Sequence, residues 1–163
     1  MGSISMAERW VGFVAAGASV VVVDAEVPDH ADEPIIVQAD QTWRLQKGDR
    51  AAAYHVLYQR CTNYLEENGA DVAVIKSSAV LGGGGMKLAH LEGAEVRGVI
   101  VAAAASVCDT RILSKAVISR TYGERKVDEY LKDDDFWEEH VEGGNLRAGS
   151  REAAMLLIAA RNA

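Results

Sequence analysis

The sequence predicts a single α/β domain built on a mixed sheet, and three observations carry that prediction. Two β-branched runs, Trp10 to Val14 and Val20 to Val23, flank the small-residue stretch Ala15-Ala16-Gly17-Ala18-Ser19, the pattern of an antiparallel hairpin. From Asp49 to Asn68 the positions Ala52, Val56, Tyr58 and Leu65 recur at spacings near three and four, which predicts a long helix stopped by Asn68-Gly69. Directly after it, Val72-Ala73-Val74-Ile75 is a short continuous apolar run of the kind that forms a buried parallel strand. Strands, a crossover helix and a parallel strand in this order make an α/β unit.

The remaining elements follow along the chain. A third strand is expected around Ile35 to Ala39, after a solvated hairpin loop that carries Asp29, His30, Asp32 and Glu33. Lys76 to Met86 reads as a loop containing the four glycines Gly82 to Gly85, and a second helix is expected from about Met86 to Ser106. Val107 to Leu113 is the fifth expected strand. Ser114 is placed to cap a short helix through Arg120, Glu124 to Val141 reads as an acidic helix, and Ser150 to Arg161 as a final helix with Ser150 at its cap. In that last helix Ala153, Ala154, Leu157 and Ile158 are expected to face inward.

Composition narrows the function classes. The 163 residues, 49% of them apolar, suit one compact domain with a proper core. Residues 1–8 are read as a disordered or expression-derived leader, with Met6 as the natural start, and 9–163 as the domain. Seventeen basic against twenty-four acidic residues leave a formal charge of -7, so the average surface repels phosphate and nucleic acid is disfavoured except at a local basic patch. Cys61 and Cys108 are the only cysteines, which suits two buried thiols in a reducing cytoplasmic setting. No apolar run is long enough to span a bilayer, so no membrane association is expected.

Other local patterns carry little chemistry. Gly82 to Gly85 ahead of Lys87 lacks the Gly-Lys-Ser/Thr of a Walker loop. His30, His55, His90 and His140 have no metal-ligand spacing. Asp133-Asp134-Asp135 before Phe136 and Trp137 reads as a solvated helix end, with a protein-docking surface as the alternative. Lys87, Arg111, Lys115 and Arg120 are the candidate binding cations, with Arg125, Lys126, Arg147 and Arg151 near them in the chain; if they converge, they form an anion-binding strip.

The order of elements, with the strings Lys87-Leu88-Ala89-His90-Leu91-Glu92-Gly93-Ala94-Glu95-Val96-Arg97-Gly98-Val99-Ile100-Val101-Ala102-Ala103-Ala104 and Arg151-Glu152-Ala153-Ala154-Met155-Leu156-Leu157-Ile158-Ala159-Ala160, resembles the RuvC-type Holliday junction resolvases. The resemblance covers Trp10 to Ala160. It implies a ribonuclease H-like α/β fold, a five-stranded mixed sheet whose first three strands are antiparallel, flanked by helices. It also implies a metal-dependent phosphodiesterase site at the strand ends, in which two divalent cations are held by three or four carboxylates.

At the positions where the resemblance places those acids, this chain has Val14 in the first strand, Lys76 at the end of the central parallel strand, and Gly149 and Glu152 at the start of the final helix. Apolar or cationic side chains cannot replace oxygen ligands of a hard cation. Lys76 and Glu152 are instead candidates for an ion pair across the old site, the alternative being that each points to solvent. The expected function is therefore that of a catalytically degenerate resolvase-like domain, a pseudoenzyme that binds protein or nucleic acid and needs no cofactor. A homodimer is expected through the helix face Ala89, Gly93, Val96 and Ile100, and a further protein partner is unidentified. The alternative is a magnesium- or manganese-dependent endonuclease on branched nucleic acid with the shifted set Asp24, Glu92 and Glu152.

Overall fold

The structure, a computed structural model, describes residues 7–78, 87–122, 125–144 and 146–162. The expectations for residues 1–6 and for the Gly82 to Gly85 loop lie outside these residues. Three strands open the chain, β1 (Glu8–Ala15), β2 (Ser19–Val27) and β3 (Ile35–Arg44). Helix α1 (Arg50–Glu67) leads to β4 (Val72–Lys76), and α2 (Leu88–Ala105) to β5 (Asp109–Leu113). The rest comprises α3 (Lys115–Tyr122), α4 (Val127–Leu131), α5 (Asp134–His140), β6 (Val141–Glu142) and α6 (Ala148–Asn162). The strands form one sheet in the order β5-β4-β1-β2-β3-β6. β1, β2 and β3 pair antiparallel, whereas β4 joins β1, β5 joins β4 and β6 joins β3 in parallel.

Alternation along β1 divides the interior into two layers, because successive side chains point to opposite faces. Val11, Phe13 and Ala15 pack beneath α1 and α2, with Val20, Val22, Trp43, Ala73 and Ile75 from neighbouring strands. Trp10 and Val14 point the other way, with Val23, Val72 and Val74, toward α6. Phe13 and Trp43 meet edge to face with ring centres 6.0 Å apart, and Tyr64 closes on Trp43 at 5.4 Å. Each fully buried side chain of this size contributes about 2–3 kcal/mol.

Helix α6 is buried on every side, with no residue from Ala153 to Ala160 more than 3% exposed. Gly12 makes its approach possible: a Cβ there would lie 2.5 Å from the Ala153 carbonyl oxygen. The helix starts at Ala148, before the expected cap, and Ser150 is a buried residue inside it whose hydroxyl donates to Asp40 at 2.5 Å. The Asp40 carboxylate on β3 competes for the hydroxyl that a capping role would have needed.

Other expectations need correction. The buried face of α1 is Ala53, Leu57, Cys61 and Leu65, while Val56 and Tyr58 are exposed; the tally of apolar positions was shifted by one residue because Tyr58 covers surface without entering the core. Residue 8 belongs to the domain, since Glu8 pairs with Val27 in the β1–β2 ladder. The acidic helix from Glu124 is interrupted. The Asp133 carboxylate accepts the Phe136 N–H at 3.2 Å and caps a new helix. The Trp137 indole N–H donates to the Tyr130 carbonyl at 2.8 Å, folding the two short helices together. Val141 and Glu142 then pair with Ile35 and Ile36 as a sixth strand where five were expected. Gly143 ends it at φ +91, with the Val37 carbonyl 2.6 Å from where a Cβ would sit.

Candidate functional site at the ends of β1 and β4

Parallel pairing of β1 and β4 runs from Trp10 opposite Val72 to Phe13 opposite Ile75. One step further brings Val14 beside Lys76, and alternation turns both toward α6 with Val72 and Val74. From α6, Glu152 forms an ion pair with Lys76, each side chain about a quarter exposed. Gly149 lies over Val21, the β2 partner of Val14, with 3.9 Å between a Cβ and Val21 Cγ2. The four positions singled out in the sequence thus gather at one end of the sheet, where open α/β sheets bind ligands.

Their donor set is one carboxylate, one ammonium, one isopropyl group and no fourth side chain. A pair of hard divalent ions needs several oxygen ligands, so these residues do not fit such a centre. The acids of the shifted set are not brought together either. Asp24 lies within β2 rather than after it, fully buried on the α1 side of the sheet. It accepts Arg9 Nε at 2.6 Å, Arg9 Nη2 at 2.7 Å and the Tyr64 hydroxyl at 2.8 Å. The hydrogen bond to Asp24 raises the Arg9 pKa despite burial, and burial followed by that same carboxylate raises the Tyr64 hydroxyl. Glu92 pairs with Arg50 at 2.8 Å, and Glu152 lies across the sheet from Asp24. Among the described residues no group of three or more His, Cys, Asp or Glu side chains is arranged to hold a metal ion.

The expected dimer face is an internal surface. Val96 and Ile100 are fully buried beneath α2, and Gly93 packs on the backbone of Ala16 and Gly17; only Ala89 is exposed. A helix over a sheet commits one apolar face to its own domain first. What α2 turns outward is a different stripe, Leu88, Leu91, Ala94, Gly98, Ala102 and Ala105.

The candidate cations are spread over the start of α2, β5 and α3. Arg111 lies over the Trp10 ring at 5.0 Å, donates to the Ala160 carbonyl at 3.4 Å and pairs with Asp109 at 3.3 Å. Lys115 pairs with Asp128 at 3.5 Å. Lys87 precedes α2, and Arg120 belongs to α3. Of the aromatics beside the acidic run, Trp137 is buried and Phe136 is half-buried, edge to face with Tyr130 at 5.1 Å.

Sequence reasoning missed Arg97. It projects from α2 into a cleft of about 350 Å³ beyond the ends of β1 and β4, whose walls include Ala15, Gly17, Lys76, Ser77, Ser78 and His90. Its Nη1 donates to the Ser78 hydroxyl and its Nη2 reaches the Ala15 carbonyl at 3.5 Å, while Nε has no partner among the described residues. Burial lowers its pKa. The available signal was its isolation, since Arg97 is the only charged residue from Val96 to Ala105.

Three leading antiparallel strands, parallel strands added at β1, two helices over one face and a closing helix under the other define a ribonuclease H-like domain. Within that class the chain has the fold of the RuvC-type resolvases. It superposes on RuvC of Thermus thermophilus with a TM-score of 0.72 at 7% identity, covering 93% of this chain and 92% of that one. For T. thermophilus RuvC in complex with Holliday junction substrate the TM-score is 0.68 at 5% identity, over 93% and 91% of the two chains. For the yeast mitochondrial Holliday junction resolvase Ydc2 it is 0.66 at 10% identity, over 99% and 80%. No family model and no curated protein matches the sequence.

Proposed function

We propose that this is a resolvase-fold domain that acts by binding, without metal-dependent cleavage, and that it works as a homodimer. The observation that carries the reading is the Lys76–Glu152 ion pair at the strand ends. Cleavage by two divalent cations about 4 Å apart calls for three or four carboxylates, and here the one acid in place is already neutralised by a side chain from β4.

The outward stripe of α2 supports the dimer. Leu88 is 69% and Leu91 48% exposed, and from Val99 to Ala105 the helix carries no polar side chain on any face. A helix apolar all round belongs inside an assembly. Gly98 sits near the middle of the stripe, so a second copy crossing there by two-fold symmetry meets the same surface and approaches closely.

Sedimentation at micromolar concentrations is expected to give a dimer. Gly98→Glu is expected to give a folded monomer, since nothing among the described residues lies within 4 Å of a Cβ at that position. Incubation with a four-way DNA junction and Mg²⁺ or Mn²⁺ is expected to yield no cleavage. A monomeric wild type overturns the dimer. Metal-dependent cleavage that Glu152→Ala abolishes overturns the binding reading.

A further inference from the structure

We propose that the cleft beyond β1 and β4 binds a phosphoryl oxyanion without a metal, with Arg97 as its charged donor and the hydroxyls of Ser77 and Ser78 beside it. The proposal deepens the binding reading and rests on it.

The first argument is local charge. The charged groups around the cleft are Lys76, Arg97 and, behind the Gly17 turn, Glu92. Lys76 is neutralised by Glu152 and Glu92 by Arg50. Arg97 has no carboxylate partner among the described residues. On a chain of net charge -7, this cleft therefore keeps one positive charge in surplus.

The second is unmet hydrogen bonding. Buried polar groups are nearly always paired, and a partly buried guanidinium with a free N–H is costly. Arg97 is half-buried, its Nε makes no hydrogen bond, and its Nη2 contact with the Ala15 carbonyl is long. Its present partner is a neutral hydroxyl, Ser78, which can turn to donate to an anion that replaces it at the guanidinium. Ser77 gives its backbone N–H to the Leu113 carbonyl, and its hydroxyl has no partner among the described residues. The fork of arginine suits a bidentate oxyanion, and the two serine hydroxyls lining the same cleft supply donors for the further oxygens of a phosphate. The space of about 350 Å³ exceeds what phosphate alone fills, so a phosphate ester also fits.

Such a phosphate comes from a small monoester or from a nucleic-acid backbone. The experiment titrates the ¹⁵N-labelled full chain with inorganic phosphate and, separately, with a short oligothymidylate, following the Arg97 Nε and the Ser77, Ser78 and Gly17 amides by NMR. Saturable shifts confined to these groups are expected with at least one probe. Tighter binding of the oligonucleotide identifies a backbone source and tighter binding of phosphate a small ligand, and either supports the site. Arg97→Gln is expected to weaken binding about tenfold or more, and Arg97→Lys, which keeps the charge and loses the fork, by less. Ser77→Ala, severalfold weaker, supplies the test should Arg97→Gln fail to fold. No shift with either probe, or undiminished binding by both Arg97→Gln and Ser77→Ala, overturns the site and leaves the non-cleaving reading standing. Metal-dependent junction cleavage abolished by Glu152→Ala overturns both.

Discussion

Arg9→Met tests the assignment of Asp24 to structure rather than metal binding. The variant keeps the aliphatic stem of Arg9 and leaves a fully buried carboxylate with the Tyr64 hydroxyl as its remaining side-chain donor. Removing one partner of a buried ion pair costs about 3–5 kcal/mol. Arg9 is 27% exposed, so water reaches part of the vacated space and the lower figure, about 3 kcal/mol, applies. For a domain of this size that corresponds to a fall in melting temperature of about 6–12 °C, a large part of the roughly 5–15 kcal/mol that holds a typical domain folded. Urea unfolding at neutral pH, followed by circular dichroism, measures it. The triple variant Arg9→Met, Asp24→Leu, Tyr64→Phe replaces the whole polar cluster and is expected to regain most of the loss, because apolar substitutes for buried ion clusters are often neutral. A loss below about 1 kcal/mol in Arg9→Met refutes the argument. So does a triple variant as unstable as the sum of its parts.

Gly12→Ala places a methyl group 2.5 Å from the Ala153 carbonyl, so α6 must shift; a loss of about 1–3 kcal/mol is expected by thermal denaturation. Burial pushes the Cys61 thiol up to about 12. The folded state therefore holds this proton more tightly than the unfolded chain, and the contribution is complete below the ordinary thiol range and lost as pH rises through it. Urea unfolding from pH 9 to 10.5 is expected to show stability falling by up to about 1.4 kcal/mol per pH unit, with a shallower fall in Cys61→Ala. At pH 8 the native Cys61 is expected to resist alkylation, read by mass spectrometry of the digested protein.

Much of the fold was legible because its signals are local. The Ala15 to Ser19 turn, the Val72 to Ile75 run and the Asn68-Gly69 stop each specify a backbone event within a few residues. Phase was harder to read. In α1 the side chains of Val56 and Tyr58 are apolar yet outward, so counting apolar positions rotated the helix by one residue. In α2 every face is apolar from Val99 to Ala105, and periodicity there cannot say which side the sheet occupies; the face assigned to a partner was the one taken by the domain. The break in the acidic segment was hidden because Asp133, the cap, stands in a run of three aspartates. A two-residue strand such as Val141–Glu142 has no sequence signal and exists because Ile35 and Ile36 offer an edge. At the site, aligned positions sufficed to bring Lys76 and Glu152 together, whereas Arg97 depends on where α2 crosses the strand ends.

The three acids of the shifted set are each held by a cation from a different segment. Arg9 and Asp24 join β1 to β2, Arg50 and Glu92 join α1 to α2, and Lys76 and Glu152 join β4 to α6. A divalent cation entering at the strand ends must displace the Lys76 ammonium already in contact with Glu152. It must also surrender water that magnesium releases reluctantly. A doubly charged ion about 4 Å from one ammonium is opposed by about 8 kcal/mol at an effective dielectric near 20, and Arg97 adds a second positive charge on the other side of the cleft. For an anion the Coulomb terms from Lys76 and Arg97 change sign, and the repulsion from Glu152 cancels only the first of them. The oxyanion proposed for the cleft beyond β1 and β4 would thus meet the Arg97 guanidinium directly, with no metal between them.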